Sequence, residues 1–83
     1  MTSVGDVRVA LEQSCEYLRD AYRSVREAKT ALDEAVDILV AASADHHESL
    51  VPAGFAAAGE RFDDELERIV GSLELVQRLA VEL

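Results

Sequence analysis

The chain has one cysteine, one proline, four glycines, no tryptophan and fewer than half as many basic as acidic residues. A single thiol, Cys15, has no partner for an internal disulfide, so a stapled secreted scaffold is excluded. So few turn-formers leave room for long helices and little else. Eight bases against seventeen acids give a net charge of −9. That balance repels phosphate backbones and anionic lipid, so neither nucleic acid nor a membrane surface is expected as a partner. The longest uncharged run, Ser49 to Gly59, has eleven residues, far short of the roughly 20 needed to span a bilayer as a helix. The opening MTSVGDVRVALEQ lacks a basic segment followed by an apolar one, so no ordinary signal peptide is predicted and a cytoplasmic location is the expectation.

What is present is a repeat of apolar residues at helical spacing. In the first half Val4, Leu11, Leu18, Val25, Leu32 and Leu39 recur every seven residues, and Val7, Ser14, Ala21, Ala28, Ala35 and Ala42 form a second column between them. This heptad pattern predicts a helix over about 3–43 with a seam of alternating large and small residues. Ser3 is placed to cap it, and Asp6 suits its positive end. The second half repeats the spacing through Phe55, Gly59, Phe62, Leu66, Ile69, Leu73, Val76, Ala80 and Leu83, predicting a helix over about 50–82. Ser49 is the expected cap and Pro52 falls in the first turn, where proline is tolerated. The segment about 44–49 is the turn. Gly71 and Ser72 fall inside the second helix and mark a place where it can bend.

The prediction is an all-α, single-domain antiparallel two-helix hairpin. Facing positions whose numbers add to about 94 align both stripes, pairing Val25 with Ile69, Leu32 with Phe62, Ala28 with Leu66 and Ala35 with Gly59. The centre of that register is His47, so the polar quartet Asp45-His46-His47-Glu48 is read as the reversal of the chain. It is not read as a metal site, because helical ligand sets use i, i+3 or i, i+4 spacing. The run Glu60, Asp63, Asp64, Glu65 and Glu67, interleaved with Arg61 and Arg68, is read as a solvated face. Catalytic carboxylates require burial or a converging partner. Cys15, with Glu12 and Glu16 near it, is read as a small half-buried apolar residue and not as a reactive thiolate. No catalytic, cofactor-binding or metal residue is assigned, and no cofactor or enzymatic activity is expected.

Seven apolar residues lie outside the predicted seam: Tyr17, Tyr22, Ile38, Val70, Leu75, Leu79 and Val81. They make the apolar surface wider than one partner helix can cover, and they are the candidate partner-binding residues. A small chain with such a surface is expected to pair with a second copy as a four-helix bundle, or with a helical protein partner. The expected function is a non-enzymatic protein–protein interaction or scaffold module. The alternative is an accessory or antitoxin-like protein with one dedicated partner.

In length, acidity, two helices and a mid-chain turn the whole chain resembles the small helical hairpins of actinobacterial type. These include the WxG-motif proteins of type VII secretion and the helical segments before some secreted toxin domains. The turn LVPAG, Leu50 to Gly54, keeps a glycine without the tryptophan. Tyr17 and Tyr22 are followed four residues later by Ala21 and Arg26 and not by the acid of a Y-x-x-x-D/E signal. The resemblance implies a helical dimer or module that serves secretion and partner binding, and it offers export without an ordinary signal peptide as the alternative location.

Overall fold

The computed structural model describes residues 3–83 and consists of two long helices packed against each other. Helix α1 spans Val4–Ala42 and helix α2 spans Gly54–Glu82, with a single 3-10 turn, Ser43–Asp45, after α1. The described residues contain no strand. The hairpin is a rod of 66 × 18 × 14 Å with a radius of gyration of 19.3 Å, where a compact chain of this length would have about 12 Å.

Each end of α1 is fixed by a serine. At the start, the Ser3 hydroxyl accepts from the Asp6 amide at 3.0 Å and the Asp6 carboxylate accepts from the Ser3 amide at 3.3 Å. This reciprocal pair satisfies two amides that the helix leaves unpartnered. At the other end, the Ser43 hydroxyl donates to the Leu39 carbonyl at 2.7 Å and accepts from the Leu50 amide at 2.8 Å. Ser43 thereby ties the returning chain to the last turn of α1. His46 and His47 lie in the exposed loop that follows, with the His46 amide donating to the Ser43 carbonyl.

Helix α2 begins at Gly54, four residues later than the expected start near 50. The Ser49 hydroxyl accepts from the Val51 amide at 3.1 Å, forming a local turn instead of a helix cap. Pro52 therefore precedes the helix, and its carbonyl accepts from the Phe55 amide. Ala53 stands at the cap position with no side-chain hydrogen bond.

The α2 seam is the expected one: Phe55, Gly59, Phe62, Leu66, Ile69, Leu73, Val76 and Ala80 are all half-buried, while Leu83 at the terminus is exposed. The α1 seam differs at Val4, which is exposed, and in the alanines of its second column, whose Val7 and Ser14 are half-buried as expected. Leu11, Leu18, Val25, Leu32 and Leu39 are half-buried as expected, but Ala21, Ala28, Ala35 and Ala42 are exposed. Cys15, Tyr22, Lys29, Val36 and Ser43, one position further round, take their place. The reason is size: a tyrosine, a valine and the aliphatic stem of a lysine remove more apolar surface from water than three alanines do. Relative to the expected phase, α1 is turned toward its larger side chains. The expected pairing of Ala35 against Gly59 is thereby overturned. A Cβ built at Gly59 meets nothing within 4 Å, so there is no close helix approach at that residue.

Two stability outcomes follow. Gly59 and Gly71 are helical and have open space where a Cβ would sit. Gly59→Ala and Gly71→Ala should each therefore stabilise the chain by about 0.5–1 kcal/mol, read as a raised thermal midpoint. A lowered midpoint would show that the space is occupied. Ser43→Ala removes both bonds of the loop clasp and should cost about 1 kcal/mol. Faster amide exchange at Leu50 is the local signature.

Candidate partner-binding surface

The line of contact between the helices has two different sides. One is marked by the ion pair of Lys29 with Asp63. Grooves between the helices open on that side. Lys29, Asp33 and Val36 meet Gly59, Glu60 and Asp63 in one; Tyr22 meets Leu66, Glu67, Val70 and Glu74 in the next; and Cys15 and Arg19 meet Gln77, Ala80 and Val81 in the last. These groupings agree with the antiparallel register predicted from the two stripes. The side is polar at its rim, with Asp33, Glu60, Glu67 and Glu74 along it. The Lys29 ammonium is held above lysine's ordinary value by its hydrogen bond to the Asp63 carboxylate.

The opposite side is apolar on α1 and mixed on α2. On α1 it carries the exposed column Ala21, Ala28, Ala35 and Ala42, and beside it a second exposed column, Ala10, Tyr17, Ser24, Ala31 and Ile38. On α2 it carries Ala58, Glu65, Ser72 and Leu79, then Arg61, Arg68, Leu75 and Glu82, the positions that flank the Phe62 column away from the Lys29–Asp63 side. Glu65 and Arg68 form an ion pair at 3.1 Å along the helix.

The structure therefore divides the seven candidate residues. Tyr17, Ile38, Leu75 and Leu79 are exposed on the apolar side, the first three at 77%, 69% and 58%. Tyr22, Val70 and Val81 line the grooves of the opposite side, where Tyr22 is half-buried against α2. Tyr22 is thus a seam residue and not a free flank.

Sequence reasoning missed the alanine column by assigning it to the interior. A signal for it was present. Three adjacent columns of α1, those of Leu18, Ala21 and Tyr17, contain no charged residue from Val4 to Ala42, and every charge of the helix lies on the other four. Packing against α2 accounts for only one of the three.

Little else is offered for chemistry. Cys15 is the only buried residue among those described, at 6% exposure. Among the described residues no group of three or more His, Cys, Asp or Glu side chains is arranged to hold a metal ion, and no helix is long and apolar enough to cross a membrane. No family model, curated protein or solved structure matches the chain.

The ion pair sets a pH dependence whose sign is fixed. Because the lysine's value is raised in the folded state, the pair's contribution is fully present below lysine's unfolded value and is lost as the pH rises through the higher folded one. Lys29→Met should therefore fall below the parent in stability at neutral pH and converge on it in strong alkali. Parallel unfolding curves over about pH 8 to about pH 12 check this. A gap that widened with pH would contradict the assignment.

Proposed function

We propose that the chain is a non-enzymatic helical interaction module whose working form is two hairpins packed as a four-helix bundle. One observation carries this reading: the surface left open by the hairpin is too large for a chain of this size. The chain exposes 6423 Å². A compact monomer of 9.0 kDa exposes roughly 4,900 Å². The excess, roughly 1,500 Å² per chain, is more than the roughly 800 Å² per partner of an ordinary stable interface. The large residues of both seams contribute to it, since none of Leu18, Leu32, Phe62 or Leu73 is fully buried.

Burial of this surface favours association, and the net charge of −9 per chain opposes it. At physiological salt the Debye length is about 8 Å, so repulsion between the outer faces is screened while burial is not. Association should therefore weaken as ionic strength falls, opposite to a complex held by charge. Sedimentation at micromolar concentration across a salt series is the test. A helical dimer that tightens with salt supports the reading; a stable helical monomer at every salt concentration overturns it. A chain that is unfolded alone and folds only with a second protein would favour the reading as an accessory protein with one dedicated partner.

A further inference from the structure

We infer that an arginine stripe on the outer face of α1, formed by Arg19, Arg23 and Arg26, docks an acidic helical segment of a partner protein. This does not depend on self-association, because the stripe lies on the face of α1 turned away from the alanine column. Residues 19–29 hold four of the chain's eight bases and only two of its seventeen acids. They form a positive band in a chain whose remainder is strongly acidic.

The band is arranged against the helix's own stability. Arg19, Arg23, Arg26 and Lys29 follow one another at intervals of four, three and three residues, so each is a helical neighbour of the next. Like charges at that spacing repel. The repulsion is felt at Lys29, where the charge of Arg26 opposes the upward pull of the hydrogen bond to Asp63. Arg26 has no acid three or four residues away on either side. Lys29 is held by Asp63, and Arg23 lies 3.5 Å from Asp20, but among the described residues neither Arg19 nor Arg26 enters an ion pair. All three arginines are exposed. Local repulsion with no compensating contact inside the molecule marks a site whose partner lies outside it.

Spacing and surroundings define that partner. Arginines at i, i+4 and i+7 present their guanidinium groups along about 10 Å of one face, the spacing at which carboxylates recur on the face of a second helix. Guanidinium binds carboxylate as a two-pronged donor. Among the arginines lies an open groove of about 570 Å³, lined also by Tyr22 and bounded by Glu27 and Glu34. Glu12 and Glu16 precede the band, and Asp33 and Asp37 follow it. A nucleic acid would continue past the band with a phosphate every few ångströms and meet acids at each end. A short acidic helix ends before them.

The probe is an alanine-rich helical peptide with glutamates at i, i+4 and i+7, labelled with an uncharged dye and titrated with the full chain by fluorescence anisotropy. The same peptide with glutamines is its control. The glutamate peptide should bind at least about tenfold more tightly than the control. Its binding should tighten as salt falls, the reverse of the salt dependence of self-association. Arg19→Gln combined with Arg26→Gln should weaken binding by about tenfold without lowering the thermal midpoint, because the change removes repulsion. Arg61→Gln combined with Arg78→Gln alters the net charge equally on α2 and should leave binding unchanged. A lowered midpoint in the α1 variant would assign Arg19 and Arg26 to holding the hairpin and overturn the inference. So would failure of the glutamate peptide to bind at about millimolar concentration, or equal binding of a thymidine oligonucleotide, which would put a nucleic acid in the groove. Weaker dimerisation of the α1 variant than of the α2 variant would make the stripe a contact between copies, and would overturn it too.

Discussion

Two helices can cover each other only along one strip, and the chain has more apolar surface than one strip can hide. That constraint governs the hairpin. Given two candidate columns beside the leucines of α1, the fold buries the one with Tyr22, Val36 and the Lys29 stem and leaves the one with four alanines outside. The choice follows from area, since the larger side chains gain more by leaving water. Its consequence is a molecule with two unlike sides. The bulky column brings Lys29 to Asp63 and the acidic rim of α2, so that side is polar. The alanine column is carried to the side with no charge on α1 at all.

The devices that hold the hairpin are mostly local. The Ser3–Asp6 box fixes one end of α1, the Ser43 clasp fixes the other, and the ion pair with Asp63 is the cross-helix polar link. An exposed pair of this kind is screened by water and salt, and capping interactions each contribute about a kilocalorie. None of them replaces a core. With Cys15 alone buried among the described residues and every large seam residue only partly covered, the hydrophobic contribution within one chain is left incomplete. The interactions that would complete it are on the outside of the hairpin.

Much of this was legible in the residues. The two helices, the reversal around His47, the cap at Ser3 and every internal position of the α2 seam follow from heptad spacing and the chemistry of serine and aspartate. The phase of α1 did not follow, because spacing treats the Ala28 and Lys29 columns alike and ranks the lysine as solvent-facing. Only the packed structure reveals that a lysine stem can bury its methylenes while its ammonium reaches a carboxylate across the seam. The start of α2 was missed for a similar reason. Ser49 has the chemistry of a cap, but its hydroxyl is engaged two residues on, by Val51, before any helix begins. At the surface, Tyr17, Ile38, Leu75 and Leu79 were recognised as unpartnered, whereas Tyr22 was taken for a free flank because it lies one position off the expected seam.

Charge distribution carries the last step. A chain with a net charge of −9 would ordinarily be kept apart from its own copies by repulsion. Here every charge of α1 is confined to four of its seven helical columns, so two uncharged columns of α1 remain open beside the one that packs against α2. An apolar contact over that face is compatible with an acidic protein because salt screens the outer faces and leaves a buried one unaffected.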